Sequence, residues 1–313
     1  MSLRLPGWSC LVACLTFSSL GGHLTQQSGL PPSTLRVWNG GRWIEWWNSA
    51  AAPGRWTGPL PVVARAFRWR DAAPGVQWAE IRMAGREEAW RIRVIVARLD
   101  PRRIKFRLDT AFQDRGAKPA WSVARARPSA LVAINAGQFP RSLPWGWVVL
   151  DGHEYLRPGI GPLSVGVAFD SSGDVRWIPG DSLSDSTVRR GAAAAFQSYP
   201  RLLAGASIPP QLQHEERGVD LAHRDARAAI GQLADGSILI AITRFDGAGG
   251  VLDFLPFGLT TPEMAAVMGA LGAREAVMLD GGISSQLLIR DQGTVRRWKG
   301  LRNVPLGLVV VAR

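Results

Sequence analysis

Cysteine is nearly absent from this chain of 313 residues, because its two cysteines, Cys10 and Cys14, both lie among the first 14 positions. The rest of the chain cannot form an internal disulfide and offers no thiol nucleophile or cysteine-based zinc site. Histidine is scarce too, and the four histidines lack the spacing of a histidine metal site. Catalysis and stability must therefore come from other residue types.

Beyond its N terminus the chain also lacks long apolar runs, since no segment approaches the roughly 18 apolar residues that a membrane-spanning helix needs. Residues 1–22 resemble a signal peptide, with Arg4 before a short apolar core and small residues after it. Residues 11–14 also resemble a bacterial lipobox, in which Cys14 would carry a lipid. We expect an exported bacterial protein that is periplasmic, secreted or on the outer surface, with lipid anchoring through Cys14 as the minority interpretation.

Acidic residues are outnumbered, with 25 Asp and Glu against 37 Lys and Arg, which gives a formal net charge of +12. This charge would suit an anionic partner such as phosphate or an acidic polysaccharide, although a solvated basic surface explains it equally well. The basic residues are scattered and form no block, so a nucleic-acid-binding tract is not visible. Hydrophobic residues make up 46% of the chain, which predicts a substantial core.

Composition divides the chain into three parts. The signal segment 1–22 is followed by a connector and a tryptophan-rich segment over residues 23–75, and then by a domain over residues 76–313. A tryptophan side chain can stack on a sugar ring or fill a core. Core packing is the commoner use, so we assign no individual tryptophan to a ligand.

The domain from Val76 onward alternates short strand-like runs with turns. Apolar or alternating segments such as 90–99, 165–169 and 228–233 predict strands. The clearest helix is predicted for Thr261–Leu271, with a capping threonine, an early proline and a glycine after its end. Many strands with few helices indicate an α+β fold around a mixed or largely antiparallel sheet.

Four segments place polar residues beside glycine at predicted strand ends, where backbone and side chain can approach a ligand together. They are residues 134–139, 227–231, 244–247 and 279–285. Together with residues 259–265 and the closing segment 302–310, they match an ordered set of motifs. On these motifs the chain, from about Val76 to its C terminus, resembles the phosphodiester glycosidase family. That family includes N-acetylglucosamine-1-phosphodiester alpha-N-acetylglucosaminidases and bacterial exopolysaccharide biosynthesis proteins.

Two positions depart from the family pattern. Ala228 replaces the usual threonine after the motif arginine, which removes a hydroxyl that could bind substrate. Ile283 replaces the usual third glycine of the Asp-Gly-Gly-Gly-Ser motif and places a bulky side chain where backbone approach is normally open. The resemblance still implies the fold, but these changes bear on catalysis and on the size of the substrate.

The resemblance implies hydrolysis of a sugar-1-phosphodiester, in a cell-envelope or extracellular glycopolymer. Arg227 would clamp the phosphate, or serve as a structural ion pair. Asp280 is the first candidate for the carboxylate that acts as nucleophile or base at the anomeric carbon. Asp246 is the second candidate, unless Asp246-Gly247 is an ordinary turn. The candidates for substrate binding are Asn135, Gly137, Gly281, Gly282, Ser284 and Ser285.

Cofactor requirements are not evident. Carboxylates and carbonyls around Asp280 would suit a calcium or magnesium ion, but the sequence identifies no such site. The expected partner is a carbohydrate or glycosyl phosphate, and we expect neither nucleic-acid binding nor a transmembrane segment in the mature chain.

Two other functions remain open. Gly180-Asp181-Ser182-Leu183 spells the nucleophile motif of GDSL esterases, in which Ser182 would attack an ester with His223 as base and Asp220 orienting it. The intermediate motif of that family is absent, and its nucleophile normally comes early in the chain. The other alternative is a catalytically silent carbohydrate-binding protein of the same fold.

Overall fold

A computed structural model of the protein describes residues 32–110, 121–140, 143–161, 163–212 and 220–313. The predicted signal segment, both cysteines and most of the predicted connector lie outside the described residues. No helix in the described part of the chain is long and apolar enough to cross a membrane.

The described residues form nineteen strands and three α-helices, with short 3-10 turns between them. The strands are β1 Thr34–Asn39, β2 Arg42–Asn48, β3 Arg70–Ala73, β4 Val76–Ala84, β5 Ile92–Leu99, β6 Ile104–Thr110, β7 Val132–Asn135, β8 Val148–Leu150, β9 His153–Leu156, β10 Val165–Phe169, β11 Val175–Pro179, β12 Ala194–Ser198, β13 Arg201–Leu203, β14 Ala228–Leu233, β15 Ile238–Phe245, β16 Ala273–Leu279, β17 Leu287–Asp291, β18 Thr294–Trp298 and β19 Leu306–Ala312. The helices are α1 Pro61–Ala64, α2 Ser186–Arg189 and α3 Thr261–Ala270.

The strands form three sheets. The large sheet has nine strands in the order β13-β16-β14-β15-β5-β4-β1-β2, with β3 also paired to β4. Two five-stranded sheets have the orders β11-β10-β12-β8-β9 and β18-β17-β7-β19-β6. Neighbouring strands pair antiparallel throughout, which confirms the predicted α+β class with largely antiparallel sheets.

The large sheet separates two apolar cores, because its strands alternate buried residues between the two faces. On one face Ile230, Ile240 and Val277 pack against the two five-stranded sheets. On the other face Ala229, Leu239 and their neighbours pack against α3, α1 and the inner side of β1 and β2. A sheet buried on both faces explains why its central strands read as continuous apolar runs.

Helix α3 confirms the sequence prediction closely. Thr260 caps it in a capping box, since its side chain accepts from the backbone of Glu263 and the Glu263 carboxylate accepts from the backbone of Thr260. Gly272, with φ +90°, lies just beyond the C-terminal end. Residues around the whole circumference of α3 are buried, so its position is fixed by packing against β13 and β16.

The tryptophan-rich segment contributes strands to the large sheet. Gly40 and Gly41, both with positive φ, form a two-residue turn that joins β1 to β2. Strand β1 also pairs with β4, through Arg36 opposite Ala84 and Val37 opposite Met83. The tryptophan-rich segment, residues 23–75, and the domain that follows it therefore share one sheet.

Strand register brings three of the predicted glycine-flanked segments to one end of the large sheet. Ala228, the first residue of β14, lies opposite Leu279, the last residue of β16, and opposite Ile242 of β15. The residues before β14, after β16 and at the end of β15 are therefore neighbours in space. Leu287, at the start of β17, pairs with Ile134 of β7, which brings in the fourth segment.

Candidate active site

The loop that follows β16 is held at its first residue by the segment after β7. The backbone N–H of Asp280 donates to the carbonyl of Gly137 at 2.9 Å, and its carbonyl accepts from Nδ2 of Asn135 at 2.7 Å. The Oδ1 of Asn135 accepts from the backbone N–H of Gln286 at 3.1 Å. Asn135 is fully buried, so its amide group fixes both ends of the loop. Its predicted contact with substrate, like that of Gly137, stays a prediction.

Gly281 and Gly282 let this loop lie directly against the segment before β14. A Cβ at Gly281 would stand 2.4 Å from the carbonyl oxygen of Ala226, and one at Gly282 would stand 2.5 Å from Oδ2 of Asp225. The N–H of Gly282 donates to the carbonyl of Ala226 at 2.6 Å. Only glycine permits this approach, and Gly282 also has a φ of +55°.

Asp280 directs its carboxylate toward a positive charge at the protein surface. Its Oδ2 accepts from Nη2 of Arg302 at 2.7 Å, while Nε of the same arginine donates to Oγ of Ser284. Burial raises the pKa of Asp280 above its ordinary value, against hydrogen bonds from Ser284 and Arg302 that lower it. The result is an oriented, partly desolvated carboxylate.

Asp225 provides a second carboxylate beside the first. Burial raises its pKa, the charge of Asp280 raises it further, and the charges of Arg227 and His223 lower it. One of its oxygens accepts from the backbone N–H of Ala226 at 2.8 Å, and Oδ2 lies 3.8 Å from Nε2 of His223. Two neighbouring carboxylates whose proton affinities are both raised are suited to acid–base chemistry.

Arg227 lies near Asp225 and is almost fully buried. Its Nε donates to the carbonyl of Leu259 at 2.7 Å, and Nη2 donates to the carbonyl of His223. Burial lowers its pKa, while the charge of Asp225 opposes that shift. These contacts hold the segment before β14 in place, and the predicted phosphate clamp by Arg227 stays a prediction.

The two serines of the loop are buried and have different partners. Ser284 joins Arg302 to Asp280, as described above. The carbonyl of Ser285 accepts from Nη2 of Arg244 at 2.7 Å, whereas its Oγ is buried and has no hydrogen-bond partner among the described residues. Burial also lowers the pKa of Arg244 to about 10. Substrate contacts by Ser284 and Ser285 remain predictions.

Asp246 lies at the same end of the large sheet but among different neighbours. Its carboxylate is 3.5 Å from Nε of Arg82, 3.6 Å from Nη2 of Arg91 and 3.4 Å from Nε of Arg93. The residue therefore belongs to an arginine cluster formed by Arg82 of β4, Arg93 of β5 and Arg91 just before β5. Its predicted catalytic role stays a prediction, and Asp225 is the carboxylate that the geometry brings beside Asp280.

The two departures from the family pattern occupy different surroundings. Ala228 is fully buried in the apolar core between the sheets. Ile283 has 43% of its surface exposed and lies on the rim of the loop, where its carbonyl accepts from the N–H groups of Leu301 and Arg302. The isoleucine side chain is therefore exposed to solvent, whereas the alanine methyl group lies in the core.

The structure adds three candidate site residues to those predicted. Asp225 and His223 stand two and four residues before the motif arginine, and Arg302 opens the closing motif. Spacing from Arg227 is a signal that could have found Asp225. His223 had appeared only as a base for Ser182, and Arg302 only as part of a motif.

The residues of the GDSL esterase alternative make other contacts. Oδ1 of Asp220 accepts from the backbone N–H groups of Ala222 and His223, and the carboxylate 3.8 Å from the His223 ring is that of Asp225. Ser182 begins a short 3-10 turn and bonds to Asp181. Among the described residues, no group of three or more His, Cys, Asp or Glu converges to hold a metal ion.

Comparison with solved structures shows which fold this architecture represents. The catalytic domain of zebrafish N-acetylglucosamine-1-phosphodiester alpha-N-acetylglucosaminidase, auto-inhibited by its pro-peptide, matches with a TM-score of 0.59 and 15% identity over 82% of this chain and 97% of that chain. A hypothetical protein from Synechocystis matches with a TM-score of 0.52 and 16% identity, over 79% of this chain and 64% of that chain. Likeness at these identities demonstrates a shared fold.

The family follows from sequence. The phosphodiester glycosidase family model matches residues 128–311, which is more than half of the chain. This protein therefore belongs to the phosphodiester glycosidase family, as its motifs predicted. A comparison with curated protein sequences gives no match.

Proposed function

We propose that this protein hydrolyses a glycosyl phosphodiester, breaking the bond between an anomeric carbon and a phosphate oxygen. The observation that carries the proposal is the meeting of Asp280 and Asp225 across Gly281 and Gly282, with Arg302 at the exposed side. Membership of the phosphodiester glycosidase family supports the same reaction class.

In this proposal Asp280 acts on the anomeric carbon as the ionised carboxylate. Arg302 and Ser284 stabilise its anion, which suits a nucleophile or a base that takes a proton from water. Asp225 is the partner that holds a proton and can exchange it during the reaction, because burial and the charge of Asp280 raise its pKa. A new carbon–oxygen bond forms at the anomeric carbon as the bond to the phosphate oxygen breaks, and its electron pair leaves with the phosphate.

Positive charge supports binding of the phosphodiester. The side chain of Arg302 is 42% exposed, so its guanidinium can meet a phosphate oxygen while it remains beside Asp280. The net charge of +12 would draw in a polyanion. We propose a phosphodiester-linked sugar in a cell-envelope or extracellular glycopolymer as the substrate, reached after export of the protein.

The test is turnover of a panel of sugar-1-phosphodiesters that differ in the sugar, followed by release of the free sugar. We expect Asp280→Asn and Asp225→Asn each to lower kcat/KM by about 10²- to 10⁴-fold, the range of general acid–base catalysis. Asp100→Asn, at an exposed turn, is the matched carboxylate control and should keep full activity.

Binding without turnover of any member of the panel would reject hydrolysis and support the carbohydrate-binding alternative. Ester hydrolysis that disappears in Ser182→Ala would instead support the esterase alternative. Turnover that survives in Asp280→Asn would exclude this residue from catalysis.

A further inference from the structure

A groove of about 390 Å³ opens on the large sheet beside the β1–β2 hairpin, and all of its lining residues except Asp246 precede the segment that the family model matches. We call it the tryptophan groove. It combines three tryptophans with three arginines and one aspartate, namely Trp38, Trp43, Trp90, Arg36, Arg82, Arg91 and Asp246.

The tryptophans of this groove are unusually exposed for such large apolar side chains. Trp38, Trp43 and Trp90 expose 39%, 38% and 53% of their surface, whereas Trp47 and Trp56 are buried in the core. Trp38 and Trp43 lie opposite each other on β1 and β2 with ring centroids 5.3 Å apart. Exposed aromatic faces held in fixed positions are suited to stacking against sugar rings.

Trp90 is also held in place by its neighbours. Its ring packs edge-on against Phe245 at 5.6 Å, and the guanidinium of Arg91 lies 5.7 Å from its centroid. These contacts keep the ring at the groove wall with half of its surface free. The ring is therefore positioned before any ligand arrives, which lowers the entropy cost of binding.

The arginines of the groove keep donors for an anionic ligand. The side chains of Arg82 and Arg91 are 59% and 46% exposed, and each approaches Asp246 at 3.5 to 3.6 Å. Charge-assisted hydrogen bonds to carboxylates are shorter than this, at about 2.7–2.9 Å. Each guanidinium has five N–H donors, so one shared carboxylate leaves most of them available.

Strand register connects the groove to the candidate active site. Arg82 of β4 lies opposite Arg93 of β5, which lies opposite Arg244 of β15. Arg244 then donates to the carbonyl of Ser285 in the loop that begins at Asp280. With strands spaced about 4.8 Å apart, Arg82 and Arg244 are roughly 10 Å apart across the sheet. The groove and the site therefore occupy neighbouring parts of one sheet end.

We propose that the tryptophan groove is a subsite for an anionic sugar chain, which binds there while its sugar-1-phosphodiester is cleaved at Asp280. This inference rests on the proposed function and specifies its substrate as a charged oligosaccharide or polysaccharide. The tryptophans stack on sugar rings, and Arg36, Arg82 and Arg91 bind phosphate or carboxylate groups along the chain. Three arginines against one aspartate favour an anionic chain over a neutral one.

The test uses full-length protein with Asp280→Asn as the background for binding, so that no ligand is consumed. The probes are an oligomer of sugar-1-phosphate units and a neutral oligosaccharide of the same length, measured by calorimetry. We expect Trp43→Ala, Trp90→Ala and Arg82→Gln each to weaken binding of the charged oligomer about tenfold, which corresponds to about 1.4 kcal/mol. Tyr155→Ala and Arg297→Gln, exposed residues on other sheets, are the matched controls and should bind as the parent does.

Two results would overturn the proposal: binding of the charged oligomer unchanged in Trp43→Ala, Trp90→Ala and Arg82→Gln, or equal binding of the neutral oligomer. Trp90 lies outside the β1–β2 hairpin, so its variant stays informative where Trp43→Ala unfolds the hairpin. A turnover assay of the parent protein separates the two proposals. Absence of turnover of every substrate by the parent, with groove-dependent binding retained, rejects the hydrolase and keeps the subsite.

Discussion

Gly282 lies so close to Asp225 that a Cβ on the glycine would stand 2.5 Å from the Oδ2 of the aspartate. The contact joins the loop after β16 to the segment before β14, and it is available only to a residue without a side chain. The two carboxylates of the candidate active site, Asp280 and Asp225, are brought together at this contact. A substitution that disrupts the contact should therefore lower activity.

Gly282→Ala should lower kcat/KM strongly, because the added methyl group would displace the Asp225 carboxylate or the loop that carries Asp280. The backbone adds a cost of about 1–3 kcal/mol, since alanine at φ +55° is strained. Gly293→Ala separates the two effects, because Gly293 has φ +89° with open space around it. Equal activity in both variants, measured with a sugar-1-phosphodiester, would show that the contact is unimportant.

Arg302→Gln should lower kcat/KM by about 10- to 100-fold, the effect of losing a charge-assisted hydrogen bond. It should also move the acidic limb of the pH–rate profile to higher pH. Arg302 lowers the pKa of Asp280, so its removal lets burial raise that pKa further. The profile of Arg297→Gln should match the parent, and an unshifted limb in Arg302→Gln would contradict the proposed pairing.

Asp225→Asn should change the pH dependence of stability. Burial raises the pKa of Asp225 above 3.8, so the folded state holds this proton more tightly than the unfolded chain. The resulting stabilisation is present below pH 3.8 and is lost as the pH rises through the folded-state pKa. Asparagine has no proton to lose, so its contribution to stability does not change with pH. The Tm of the variant relative to the parent should therefore rise as the pH increases from 3.8 through the folded-state pKa of Asp225.

The matched control for this measurement is Asp185→Asn, which should give the opposite sign. Backbone and side-chain hydrogen bonds from Thr187 lower the pKa of Asp185 below 3.8. Its stabilising effect is therefore present above the ordinary pKa and is lost on acidification. Parallel Tm curves for the two variants would contradict the assigned environment of Asp225.

Glu263→Gln should destabilise the fold by about 3 kcal/mol, because breaking a buried ion pair is strongly destabilising and the buried Arg224 guanidinium would keep only the exposed carboxylates of Glu87 and Glu88 as partners. The Glu263 side chain is fully buried, accepts from Nη1 of Arg224 at 2.5 Å and from Nη2 at 2.9 Å, and caps α3. Glu88→Gln, an exposed residue 3.9 Å from the same arginine, should cost less than about 1 kcal/mol in urea unfolding. Similar costs in the two variants would contradict this ranking.

Ile283→Ala should improve kcat/KM for substrates with a bulky leaving group more than for those with a small one. The side chain is 43% exposed on the rim of the loop, and the backbone bonds of Ile283 do not depend on it. The same ratio of the two activities in variant and parent would show that Ile283 does not limit access.

Local sequence determined the elements whose stability is local. Thr260, Pro262 and Glu263 specify the start of α3 through capping, and Gly272 marks its end, so the predicted bounds agree to one residue. Apolar runs between turn residues likewise located β10 and β14. The ordered motifs were enough to indicate the family, which the family model confirms.

Tertiary structure decided which polar residues meet. Asp225 stands two residues before the motif arginine Arg227, but only the pairing of β14 with β16 brings it beside Gly282 and Asp280. Asp246 lies beside a glycine much as Asp280 does, yet it is surrounded by Arg82 and Arg93 from two other strands and by Arg91, which precedes β5. Secondary structure follows from neighbours along the chain, whereas desolvation and charge–charge interactions act through space between residues far apart in sequence.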